Sequence, residues 1–156
     1  MHRKIQLIGL TLALVVGSMS PLLAGTPDYP LQDIEGKTRS LTELRGGKPS
    51  VLIFWATWCG HCRAEIPKIK EAFGNYGKSG INFLAIDAGV RDSLARVQRY
   101  VTRYSLDYPV YFDPHQKSRV VFGLKGTPTI ILLDAEGREV SRSESVDLEA
   151  ISKLMR

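Results

Sequence analysis

Cys59 and Cys62, in the run Trp58-Cys59-Gly60-His61-Cys62, are the only cysteines of the 156-residue chain. A structural zinc centre takes four ligands, and a disulfide-built scaffold takes several bridges, so one pair at this spacing supplies neither. It supplies a dithiol that closes into a small ring and reopens. A bridge across two residues removes almost no loop entropy from the unfolded chain, which argues against a purely structural role. The chemistry it suits is thiol–disulfide exchange: a Cys59 thiolate attacks a substrate disulfide, and Cys62 resolves the mixed disulfide. Run in reverse, the same pair oxidises substrate dithiols.

Such a pair needs a setting that favours a thiolate. Val51-Leu-Ile-Phe-Trp55 reads as a strand, and the segment from Cys59 to about Tyr76 reads as a helix in which Pro67 should introduce a kink. Cys59 then stands at the helix start, where unpaired backbone N–H groups and the positive dipole end stabilise a negative sulfur. Its expected place ahead of the helix makes Cys59 the partly exposed nucleophile and Cys62 the more buried resolving thiol. His61 either lowers the Cys59 pKa through a positive or hydrogen-bonding ring or is a solvated histidine without electronic effect. Glu65, one turn beyond Cys62, either takes the Cys62 proton or pairs with Lys68 as a surface acid.

The rest of the chain alternates strand and helix. Leu31–Ile34 and Thr38–Ser40 read as short strands around Glu35-Gly36-Lys37, and Leu41–Leu44 as a helical turn. Ser50–Trp55 and Ile81–Ile86 are apolar enough for strands buried on both faces. Leu94, Val97, Val101 and Tyr104 share one face of a helix over 93–104. Tyr108–Phe112 is a short extended stretch, and residues 116–122 form a brief helix. Thr129–Leu133 and Arg138–Ser143 make a hairpin around Asp134–Gly137, and Asp147 caps a last helix. This pattern predicts an α/β fold with a mixed central sheet and helices on both faces. The cysteine turn falls at the carboxyl end of a central strand, where sites in open α/β sheets lie.

Residues 1–24 read differently. Met1-His2-Arg3-Lys4 is basic, and no charge follows from Ile5 to Pro27. This is the plan of a secretory signal peptide, with an uncleaved membrane anchor as the alternative. Residues 25–30 are a linker and 31–156 the folded domain. Two of the five excess positive charges, Arg3 and Lys4, belong to the leader, and the other basic residues are scattered along the sequence. That gives no ground for a nucleic-acid partner.

The run Phe54-Trp55-Ala56-Thr57-Trp58-Cys59-Gly60-His61-Cys62-Arg63 resembles the active-site signature of the thioredoxin fold, and Gly126-Thr127-Pro128-Thr129 resembles its cis-proline loop. With Gly36-Lys37, Leu41, Leu44-Arg45-Gly46, Glu65-Ile66-Pro67 and the long segment between Ile86 and Phe112, the domain is similar to exported thiol–disulfide oxidoreductases of the TlpA/ResA type. The resemblance implies a thioredoxin-like fold with an N-terminal strand extension, and catalysis by Cys59, Cys62 and Glu65. It further implies redox tuning by Gly60 and His61, and substrate contacts from Trp58, Thr127 and a cis Pro128. No cofactor or metal is implied. The partners would be protein thiols or disulfides and a membrane thiol carrier, in the periplasm or another extracytoplasmic space, with a role in cytochrome c maturation.

Two departures bear on direction. Ile53 stands where cytosolic thioredoxins have a buried proton-shuttling Asp. Gly60-His61 is the dipeptide of protein disulfide isomerases, where many TlpA/ResA-type reductases have a proline. Reduction therefore competes with an oxidase or isomerase reading. Two further chemistries are open to thiols on this fold, copper binding as a thiol chaperone and peroxide reduction as a thiol peroxidase. Copper chaperones of this fold usually place three residues between the cysteines, and the peroxidase pattern Pro-x-x-x-Thr-x-x-Cys is absent.

Overall fold

The computed structural model describes residues 25–156. The leader therefore lies outside the described residues. Among these there is one seven-stranded sheet, ordered β2-β1-β5-β4-β3-β6-β7. In chain order the elements are β1 (Pro30–Asp33), β2 (Thr38–Ser40), α1 (Leu41–Arg45), β3 (Ser50–Trp55), α2 (Gly60–Tyr76) and β4 (Asn82–Asp87). There follow α3 (Leu94–Tyr104), β5 (Val110–Phe112), α4 (Lys117–Val121), β6 (Thr129–Leu133), β7 (Glu139–Ser143) and α5 (Leu148–Lys153).

β3 organises the molecule. It pairs parallel with β4 and antiparallel with β6, so all six of its residues are buried. Alternation sends Val51, Ile53 and Trp55 to one side, where they meet Cys62 and Ile69 of α2, Val97 and Tyr100 of α3, and Ile151 of α5. Leu52 and Phe54 face the other side, with Leu41 of α1, Leu84 and Ile86 of β4, and Phe122 at the end of α4. Each such burial is worth about 1.5–3 kcal/mol, and the two cores hold β3 in a single register. The expected mixed sheet with helices on both faces is thus present.

The elements match the sequence reading to within a residue or two, and the β1–β2 hairpin is the N-terminal extension. It lies at the outer edge, where β1 pairs antiparallel with β5. α2 runs continuously through Pro67. Local capping fixes the helix starts: Ser93 accepts from the Arg96 N–H and Asp147 from the Ala150 N–H. α3 buries Tyr100 as well as Val97, a position that the Leu94–Val97–Val101–Tyr104 stripe omits.

Candidate active site

The apolar β3 delivers the chain into the turn Ala56–Cys59 at its carboxyl end, and α2 starts at once. Cys59 is the N-cap of α2: its Sγ accepts the Cys62 N–H at 3.1 Å. The two sulfurs are bonded to each other. A sulfur in this position already holds the hydrogen bond that would stabilise it as a thiolate once the bond opens.

Thr127–Pro128 is a cis peptide bond, as the resemblance implied. It brings the Thr127 carbonyl oxygen to 3.5 Å from Cys59 Sγ, a contact and not a hydrogen bond, because the oxidised sulfur has no proton. Among the described residues the Thr127 N–H has no backbone partner. Trp58 lies on the rim, 57% exposed, with its Nε1–H donating to the Val90 carbonyl at 2.6 Å. His61 is exposed and borders a shallow cavity with Glu65, Thr127, Pro128 and Glu144.

One expectation needs correction. Cys59 is not partly exposed: it is 7% exposed against 5% for Cys62. The Thr127 carbonyl lies against Cys59 Sγ, and both cysteines belong to the buried core on that face of the sheet.

Glu65 makes the ion pair with Lys68 that its sequence position suggested. It lines a small apolar cavity together with Cys62, Ile53, Ile66 and Pro128. The Lys68 pair spans 3.1 Å, while the other carboxylate oxygen accepts from Ser145 Oγ and the Val146 N–H, each at 2.9 Å. Burial acts to raise its pKa, but the Val146 N–H, Lys68 and Ser145 outweigh it and hold the carboxyl below its ordinary value. Glu65 is therefore ionised at neutral pH, the state a base requires.

The sequence reading missed a pair of acids behind the turn. Asp92 accepts the Thr57 N–H at 2.9 Å through Oδ2 and the Thr57 hydroxyl through Oδ1, so it grips the turn two residues before Cys59. Asp87 ends β4 opposite Trp55, fully buried, with Oδ1 accepting from the Gly89 N–H and Oδ2 without a protein partner among the described residues. Burial, and then the charge of Asp92, push its pKa up to about 8 against the pull of the Gly89 and Thr57 N–H groups. The signal in the sequence was an acid closing the apolar run Phe83–Ile86, an unusual place for a solvated residue.

Comparison with known proteins adds the family. The sequence profile of the AhpC/TSA family matches residues 24–140. The chain belongs to the AhpC/TSA family. Among its relatives, thiol-disulfide oxidoreductase ResA of Bacillus anthracis is 35% identical over 116 residues, 74% of this chain and 65% of that protein. ResA of Geobacillus thermodenitrificans is 33% identical over 126 residues, 81% of this chain and 67% of that one. The chain thus spans about two thirds of the length of these relatives. Among solved structures, a candidate thiol:disulfide interchange protein DsbE from Chlorobium tepidum is 26% identical, with a TM-score of 0.70, covering 84% of this chain and 92% of that one. The thioredoxin domain of a Bacteroides vulgatus thiol-disulfide oxidoreductase shares the fold of this AhpC/TSA member at a TM-score of 0.75 and 20% identity, over 85% of this chain and 96% of that one.

Proposed function

We propose that the protein is an exported thiol–disulfide oxidoreductase that exchanges its Cys59–Cys62 pair with cysteines of protein substrates, mainly in the reducing direction. The observation that carries this reading is Cys59 Sγ accepting the Cys62 N–H in the first turn of α2 and faced by the Thr127 carbonyl. The names of the ResA and DsbE relatives support the same chemistry.

Reduction begins with attack of the Cys59 thiolate on a substrate disulfide. One substrate sulfur leaves as a thiolate and takes a proton from solvent, and the other stays bonded to Cys59. A substrate strand laid along Thr127 gains a backbone hydrogen bond from its free N–H, beside the rim offered by Trp58. Glu65 then takes the Cys62 proton, Cys62 attacks Cys59 Sγ, and reduced substrate departs. The cysteine pair is itself the redox couple, so no further cofactor enters the reading. Residues 1–24 serve for export as a signal peptide or anchor, and the folded domain, into which Thr26 and Tyr29 are already packed, carries the activity, in the periplasm or its equivalent. There the protein takes electrons from a membrane thiol carrier, and its substrates include cytochromes c awaiting haem attachment. No helix among the described residues is long and apolar enough to cross a membrane.

Equilibration of the cysteine pair against glutathione buffers, run beside insulin reduction, tests the direction. A reductase is expected near thioredoxin's potential, about −270 mV. A value of about −180 to −120 mV would make the protein a disulfide donor or isomerase, with the Gly60-His61 dipeptide setting the poise. Copper titration of the reduced protein and a peroxide-consumption assay are the arms for the other two chemistries, and strong activity in either would displace the proposal.

Glu65 has its own test. Glu65→Gln keeps the shape and most hydrogen bonds but cannot take a proton. Resolution of the mixed disulfide is expected to slow by about a hundredfold, while the first attack by Cys59 keeps its rate. Equal rates of resolution in the two proteins would leave Glu65 as a partner of Lys68 and of residues 145 and 146 only.

A further inference from the structure

Lysine and arginine look scattered when counted along the sequence, but folding gathers four arginines around one groove. Arg63 of α2 and Arg96, Arg99 and Arg103 of α3 line one open groove of about 740 Å³, together with Thr57 and Tyr104. The spacing of three and four residues puts the α3 arginines on one helix face. Thr57, two residues before Cys59, and Arg63, next after Cys62, both line the groove, so it borders the segment that carries the reacting pair.

These guanidinium groups are short of negative partners. Among the described residues, Arg63, Arg99 and Arg103 have no carboxylate within 4.0 Å. Arg63 reaches only the Tyr104 hydroxyl, at 3.5 Å, and Arg103 lies over the Tyr104 ring. Arg96 is 4.0 Å from Asp92, whose two oxygens are already held by Thr57. Like charges gathered without counter-charges repel one another, and an anion laid among them relieves that repulsion. Planar guanidinium forks match carboxylates in paired hydrogen bonds.

We infer that the groove between α2 and α3 docks an acidic segment of the substrate polypeptide, next in sequence to the cysteine that Cys59 attacks. This rests on the exchange reading above and names the substrate class that the site selects. A polypeptide is the occupant because Thr57 and Arg63, which flank the Cys59–Cys62 segment, line the groove, so residues flanking a cysteine that reacts with Cys59 come within its reach. Arginine contacts on the approach act chiefly on the rate of encounter and fade with salt.

The test uses three synthetic peptides, each with one disulfide loop, flanked on the same side by four glutamates, four glutamines or four lysines. Stopped-flow kinetics of the reduced protein with each peptide give the second-order rate constants. The glutamate peptide is expected to react about tenfold faster than the glutamine peptide at low salt and the lysine peptide more slowly, with the differences collapsing at high salt. In the double variant Arg99→Glu/Arg103→Glu the order of the three peptides should invert. In Arg138→Glu/Lys153→Glu, an equal change of net charge placed elsewhere, the wild-type order should persist.

Equal rates for the three peptides with wild-type protein would overturn the inference and leave the exchange activity standing. The same order in both double variants would also overturn it, by assigning the preference to net charge alone. Tighter binding of a single-stranded DNA oligonucleotide than of the glutamate peptide in the reduced form, lost in Arg99→Glu/Arg103→Glu, would reassign the groove to nucleic acid. No reaction with any disulfide peptide would remove the exchange reading itself, and this inference with it.

Discussion

Cys59→Ser is expected to lower disulfide exchange by roughly a thousandfold or more, whereas Cys62→Ser should accumulate a covalent adduct with substrate. The asymmetry follows from the helix start. Cys59 Sγ is the atom that accepts the Cys62 N–H and faces the Thr127 carbonyl, so it is the sulfur stabilised as a nucleophile and the one lying where a substrate strand would pair. A serine hydroxyl there keeps the cap but remains protonated at neutral pH and cannot form a bond to sulfur of comparable lability. Cys62→Ser leaves that nucleophile intact and removes the group that resolves the mixed disulfide. With no third cysteine in the chain, nothing internal replaces it. Mass spectrometry of each variant after incubation with a disulfide peptide reads the outcome directly. An adduct on Cys62 in the Cys59→Ser protein, at a rate matching that of wild type, would reverse the assignment of the two sulfurs.

The second large effect concerns pH. Asp87 keeps its proton to about pH 8 in the folded protein, because burial and the neighbouring Asp92 charge oppose ionisation. An unfolded chain releases that proton near pH 3.8. Between these values the folded state binds one more proton than the unfolded state, so stability falls as pH rises. The contribution is fully present below the unfolded pKa and is lost as pH rises through the folded one. The slope from this group reaches as much as about 1.4 kcal/mol per pH unit. Asp87→Asn mimics the neutral acid, retains an acceptor for the Gly89 N–H and does not titrate. Urea unfolding of the oxidised wild type from pH 5 to pH 8 is expected to show this loss, and the variant should show a clearly flatter profile and greater stability at pH 8. Parallel profiles for the two proteins would mean that Asp87 ionises normally. The disulfide turn should feel the same change, because Asp92 holds Thr57 and stands beside Asp87.

What the sequence made legible divides along a physical line. β3 and the cysteine turn were readable because their signals are local: an apolar run, a two-residue spacing and the start of a helix. The cis Pro128 was readable only through the family resemblance, since nothing local ties its loop to cysteines so far away in sequence. Asp87, Asp92 and Thr57 stayed hidden for a related reason. Their contact is made where the carboxyl ends of parallel β3 and β4 come side by side, and neither strand's periodicity encodes what its end residue will face. The arginine groove was invisible because Arg63 and the α3 arginines belong to different helices. Tyr100 escaped the helical stripe because α3 buries a wider arc than that stripe spans, with its ring centroid 4.9 Å from that of Trp55 and the planes tilted by 43°. The exposure of Cys59 was misjudged because a helix start predicts accessibility only until a distant loop covers it.

The outermost strands carry a consequence for behaviour at high concentration. β2, at one edge, offers only three residues, Thr38–Ser40. β7, at the other, sits beside an irregularity at Leu132/Leu133 and bears Glu139 and Arg142 paired at 2.8 Å. A short edge and a charged, irregular edge are poor templates for strands from another molecule. Of the strand β6 and its neighbour β3, whose sequences are almost wholly apolar, neither is reachable without unfolding. Fibril formation by this domain therefore waits on loss of the native sheet, which ties its resistance to aggregation to its thermodynamic stability and not to surface chemistry alone.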